Sequence, residues 1–267
     1  MCRFLLLWGL TFFSFLQLNA QNQLRFLYSF PGKDVRLVAA DHLMNIYSIS
    51  DFEIKKYNNK DTLATRYSEM NYGQIHSVDF SNPLRIPVFY ADFNKLIFLD
   101  NTLNVLKDPI DFVASEYNQI TALCSAYDGG VWVYSRDDFS LTRYSVNFME
   151  KQKMQNLNTF IDSNLEMKQM LEKDNRLFLL GSDKKIYLFD IYGAFIKSIP
   201  LDIENRFTVY GNTIYWLKQN FLHAFDLLSF TEQALLLPFD EIDAFDVNRN
   251  RLVILANEKV AVYSIEN

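Results

Sequence analysis

Cysteine is almost absent from this 267-residue chain, which has two. Cys2 precedes an apolar N-terminal run, and Cys124 is the one left if that run is removed. A lone thiol cannot form an intramolecular disulfide, so the fold must close without one. Cys124 lies in the apolar run 120–124 (ITALC) and reads as a buried small hydrophobe rather than a reactive thiol. Basic clusters are also missing: 26 Lys and Arg stand against 32 Asp and Glu, for a net charge of −6. That balance argues against nucleic acid and against an anionic membrane surface as partners. No Pro/Gly/Ser-rich linker or low-complexity tract divides the chain. There is no Gly-x-Ser-x-Gly elbow, P-loop, His-Glu-x-x-His or Cys-x-x-Cys, so serine-nucleophile, nucleotide, zinc-protease and dithiol chemistry have no visible support.

The only long apolar run is FLLLWGLTFFSFLQL at 4–18, behind Arg3 and ahead of Ala20. Its length is about 15 residues, against roughly 20 for a bilayer span. A charged start, a short apolar middle and a small residue at the end predict a secretory signal peptide over 1–20. Cys2 lies before the run, where a lipidated cysteine would lie after it. Removing Arg3 with the signal takes the net charge from −6 to −7 and leaves 247 residues, 21–267, as a single domain. The expected location is the periplasm, free or associated with the outer membrane, with no direct membrane insertion. The expected state is a monomer or a subunit of a larger complex.

Aromatics are abundant, with 24 Phe and 15 Tyr, as suits half-buried strands. The stretch 176–201, RLFLLGSDKKIYLFDIYGAFIKSIPL, holds three apolar runs separated by two turn signals. The rest of the chain repeats it. Second strands begin near Ile46, Val88, Val131, Leu177, Ile214 and Leu252; third strands end near Tyr57, Leu99, Tyr144, Phe189, Phe225 and Tyr263. The two series keep step at about 41 residues per unit, the length of a four-stranded blade. First strands are expected at 36–41, 75–80, 120–127, 168–173, 206–210 and 242–247. Fourth strands are expected at 62–67, 103–107, within 148–157, at 195–201 and at 230–237. The blades therefore span about 34–68, 74–108, 119–157, 167–201, 205–238 and 241–267. The sixth lacks a fourth strand, and residues 24–30 (LRFLYSF) are spare at the other end. The fold class predicted is all-β: a six-bladed β-propeller closed by the N-terminal strand pairing with the last blade, which removes the open edge.

The segment Ile186-Tyr187-Leu188-Phe189-Asp190-Ile191-Tyr192-Gly193-Ala194-Phe195 resembles the Ile-x-x-Phe-Asp-x-x-Gly-x-Phe pattern of NHL-type repeats. Asp41 to Tyr47 and Asp128 to Trp132 resemble that family's Asp-x-x-Gly-Asn-Ile-Tyr turn, with Met44 where Gly is usual. The chain as a whole resembles secreted single-domain propellers of Bacteroidota. The resemblance implies six blades. It also implies a place to look for chemistry, because lactonases and amide lyases of similar shape hold a metal on the propeller axis. The three histidines do not converge: His42 and His76 fall at opposite mouths of the channel and His223 lies on a third strand. Asp41, Asp79, Asp128 and Asp246 fall near the ends of four first strands and are the candidate ligands for Ca²⁺. The ordinary reading is that each Asp opens its own turn. Residues 246–250 (DVNRN) begin like a calcium loop but lack its Gly and distal Glu.

Two stretches are candidate partner contacts. One is the strand end at 235–239 (LLLPF), which offers Leu236 and Phe239; the other is the insertion 156–167, which offers Phe160 and Leu165. The leading expectation is a non-catalytic binding or scaffolding module for a protein of the cell envelope, with no cofactor. The alternatives are a metal-dependent hydrolase or lyase with carboxylate ligands on the axis, and a binder of a glycan or small ligand in the channel. Tyr47, Trp132 and Trp216 would stack on such a ligand if they faced the axis.

Overall fold

Except in the fifth repeat, where TIYWLK alternates, the second strand is buried along nearly its whole length without alternation, as in VWVYS and RLFLLG. Such a strand needs cover on both faces. In this all-β chain the cover is another sheet on each side. The computed structural model describes residues 23–58, 62–113 and 120–266, and the signal-peptide reading lies outside them. It contains six four-stranded antiparallel sheets arranged as a β-propeller, and no α-helix among the described residues. The first strands are Leu37–Ala40, Ser77–Val78, Ile120–Ser125, Met167–Lys173, Phe207–Tyr210 and Ala244–Asn248. Each is followed by its second, third and fourth strand in simple meander order.

Six apolar clusters fill the six gaps between successive blades. Alternate residues of one strand serve opposite gaps. Leu177 and Leu179 pack toward the third blade, and Phe178 and Leu180 toward the fifth. This double duty explains the continuous apolar runs. The outer fourth strands, covered on one side only, return to alternation, as in LATRYS and FIKSIP.

The sixth blade takes its outer strand from the other end of the chain. Gln23–Pro31 pairs antiparallel with Lys259–Glu266, in register from Leu24 opposite Ile265 to Pro31 opposite Lys259, with a bulge between Phe26 and Tyr28. The expected fourth strand of the second blade is corrected. It is Ile110–Asp111, not 103–107. Leu103 sits in a left-handed turn at φ 63°, with Asp100 accepting the backbone N–H groups of Thr102 and Asn104. Only Val105 bridges back, to Leu99. Leu103 is apolar because it plugs the gap to the first blade, not because it belongs to a strand.

The third-to-fourth-strand turn is built the same way in five blades. A polar residue at the end of the third strand or directly after it accepts backbone N–H groups of the turn: Asn58, Asp100, Ser145, Asp190 and Asp226. Its second constant is a residue at positive φ, namely Leu103, Phe148 and Gly193 in blades two to four. Gly193 (φ 75°) is also crowded, since a Cβ there would meet Met154 Sδ at 2.5 Å and the Trp132 ring at 3.3 Å. Gly130 is more constrained still, because its Cβ would lie 1.8 Å from the Tyr144 carbonyl oxygen. Met44 carries a side chain in the left-handed region at φ 68°, at a cost of about 1–2 kcal/mol.

A Gly193→Val protein is expected to lose about 1–3 kcal/mol through backbone strain and the Met154 clash. Thermal unfolding should show its Tm lowered by several degrees. Gly193→Asn, which tolerates the left-handed region, should lose less.

Candidate functional site in the axial channel

The first strands surround the ring axis, and all six contribute to one cavity of about 570 Å³. Side chains on these strands recur at equivalent heights, fixed by the pairing with the second strands. At one height stand Ala39, Asp79, Cys124, Leu171, Thr208 and Asp246. Two residues earlier stand Leu37, Ser77, Ala122, Gln169, Arg206 and Ala244.

At the first height, two residues do the same job. Asp79 Oδ2 accepts the Ser125 N–H at 2.8 Å, and Asp246 Oδ2 accepts the Ala40 N–H at 2.7 Å. In each case the donor is the next residue up on the first strand of the following blade. These are blade-to-blade ties, and the Asp246 tie joins the last blade to the first. At the lower height, Gln169 both accepts the Phe207 N–H (3.0 Å) and donates to the Phe207 carbonyl (2.9 Å).

Only part of the turn reading of the four aspartates describes them. Asp41 opens its own turn, accepting the Leu43 and Asn45 N–H groups and the Tyr47 hydroxyl (2.9 Å). Asp128 accepts the Gly130 N–H and pairs with Arg143. Asp79 caps its turn at Ser81 and ties to the next blade as well. Asp246 opens no turn; it is the tie to Ala40. Among the described residues, no group of three or more His, Cys, Asp or Glu side chains comes together as a metal could require. His42 is exposed in a turn, His76 lines the channel, and His223 Nδ1 meets Glu232 Oε1 at 2.7 Å on the outer strands of the fifth blade.

Tyr47, Trp132 and Trp216 are fully buried in the gaps between blades rather than facing the axis. The partner-contact candidates are spread apart. Leu236 is exposed on an outer strand, while Phe239 is half-buried against Tyr263. Phe160 stacks on Phe195 at 4.7 Å, and Leu165 packs half-buried on the core between blades three and four. The insertion holds one 3₁₀ turn, Leu157–Thr159, anchored by buried Leu157 and Ile161.

Two residues that no motif marked are the most unusual groups near the axis. Arg206 is half-buried on the channel wall. Its Nε is sealed from solvent without a partner, and no carboxylate comes within ion-pair distance of it among the described residues. Burial pulls its pKa down, against the charges of Asp246 and Asp79. Burial in turn pushes Asp246 up, opposed by the Ala40 N–H and by Arg206. Glu172 is buried between blades three and four. It accepts the Trp132 Nε1–H at 2.6 Å, yet burial pushes its pKa up to about 7.

No protein family's sequence profile matches the chain, and no curated protein matches it in sequence. Its fold is shared by several solved structures. BamB from Moraxella catarrhalis superposes with a TM-score of 0.57 at 13% identity, covering 91% of this chain and 100% of that one. The Pan2 WD40 domain of Neurospora crassa gives 0.63 at 9% identity, covering 91% and 96%. A chain of a mitotic checkpoint complex gives 0.58 at 10%, covering 100% and 99%. At these identities the likeness is one of fold.

Glu172 gives a pH test. Its folded pKa lies above the unfolded value, so the native state holds the proton more tightly. The resulting stability is fully present below about pH 4.3 and is lost as pH rises through about 7. Glu172→Gln keeps an acceptor for Trp132 and removes the titration. Denaturant unfolding at several pH values should show the wild type losing stability relative to this variant across that window; parallel curves would contradict the assignment.

Proposed function

We propose that the protein is a non-catalytic propeller that binds a protein partner through the edge of the ring carrying the first-to-second and third-to-fourth strand turns. The observation that carries this reading is the distribution of exposed apolar side chains. On that edge, blades two and three present Leu84 (66% exposed), Tyr127, Val146 and Met149 (66%). Arg85 donates to the Val146 carbonyl at 3.0 Å, and the Val146 side chain lies against Gly129, so these loops form one continuous surface. Tyr192, Leu228 and Phe230 extend the same edge over blades four and five. The opposite edge offers fewer such groups, Met70, Phe93, Val113, Phe160 and Leu236, spread around the ring. Exposed apolar area concentrated on one side of a rigid scaffold is the usual mark of a protein contact.

The finer parts of the reading rest on sequence. The 1–20 segment supports secretion to the periplasm and a partner in the cell envelope. The Asp190 to Gly193 turn supports blades of the NHL type. Propellers of the same fold occur in the mitotic checkpoint complex, a multiprotein assembly by its name, which agrees with a scaffold role.

Affinity capture from gently solubilised envelope extracts should recover a stoichiometric partner with the wild type. Leu84→Asp combined with Met149→Asp should abolish capture, with surface changes altering stability by only about 0.5 kcal/mol each. Phe93→Asp, on the opposite edge, should retain it. Equal capture by all three proteins would contradict the assignment of the edge, and no partner with the wild type would contradict the function.

A further inference from the structure

The axial cavity holds a charge without a partner. Five of the six residues at the height of Arg206 are neutral, and the one long polar group among them, Gln169, is fully committed to the Phe207 backbone. Arg206 makes no hydrogen bond or ion pair among the described residues, and its Nε is buried. The two carboxylates whose fields reach it are already engaged: Asp79 by the Ser81 and Ser125 N–H groups, Asp246 by the Ala40 N–H. Thr121, on the wall of the same cavity, has a buried Oγ1 that is likewise without a partner. Those two atoms are sealed from the cavity itself, but the rest of the half-buried Arg206 side chain lines it with no protein partner among the described residues, and an uncompensated cation on a cavity wall calls for an anion.

We propose that the channel binds a small monocarboxylate, with its carboxylate held by Arg206. A guanidinium offers a planar fork that matches a carboxylate with two parallel N–H···O bonds. A single negative charge suits the site better than a dianionic phosphate, because Asp79 and Asp246 would repel each added charge in a poorly solvated space. The cavity, at about 570 Å³, is of small-molecule size. Ala39, Ala122 and Ala244 give it an apolar wall for the rest of the ligand. The site is separate from the exposed edge assigned to the partner, so either assignment can fail alone.

The test is calorimetric titration of the purified protein, in a carboxylate-free buffer, with butyrate and benzoate. Butyramide and benzamide serve as neutral controls and inorganic phosphate as the dianion. At least one carboxylate should saturate at one equivalent, with its amide and phosphate far weaker. Arg206→Gln should weaken that binding at least about tenfold, the loss expected for one charge-assisted hydrogen bond. Arg206→Lys keeps the charge without the fork and should fall between. If Arg206→Gln fails to fold, Arg206→Lys provides the second reading, with a loss of severalfold expected. No saturable carboxylate binding by the wild type, equal binding by the folded variants, or a preference for phosphate or the amides would overturn the proposal.

Discussion

The backbone hydrogen bonds between Gln23–Pro31 and Lys259–Glu266 join the two ends of the described chain into one sheet, and the rest of the ring depends on that junction. Each blade is stable only because it is covered on both faces, so an open ring would leave two apolar faces and an unpaired strand edge in water. The junction provides both kinds of cover. It supplies the outer strand of the sixth blade, and Phe30 stacks on Tyr57 of the first blade at 4.0 Å. No disulfide assists, since Cys124 is buried in the gap between blades three and four. The entropy cost of so long a closure is tolerable because it grows only with the logarithm of loop length.

Near the axis the blades are joined by polar ties rather than by packing alone. Asp79, Gln169 and Asp246 each bind backbone of the following blade. Each such tie is worth about 1 kcal/mol net, but breaking one strands a buried N–H at greater cost. That asymmetry fixes which blade follows which, and it accounts for acidic groups on the axis without a metal. Arg206 is what this scheme leaves over, a cation among ties that are already complete.

The architecture was legible in the sequence because it rests on local periodicity. The spacing of Ile46, Val131 and Leu177 predicted the blades, and the spare strand at 24–30 predicted the closure. The second blade misled because Leu103, Val105 and Leu106 imitate a strand, while Asp100 and a left-handed Leu103 turn the chain. The aspartates were half legible. Asp41 and Asp128 act within their own turns, which sequence can show, whereas the bond from Asp246 to Ala40 spans 206 residues, which it cannot. Arg206 carries no motif at all. Its unmet nitrogen appears only when strands from six distant places surround one axis, although its departure from the Leu, Ser, Ala and Gln of equivalent positions was a signal open to a repeat alignment.

Hydrogen exchange of the backbone amides tests the dependence on closure most directly. If the ring depends on its junction, the amides of 24–30 and 259–265 that bond across it open only with the whole protein, with the same free energy as the cores of blades three and four. Exchange of those bonded amides at a much lower free energy, while the other blades keep full protection, would contradict that account.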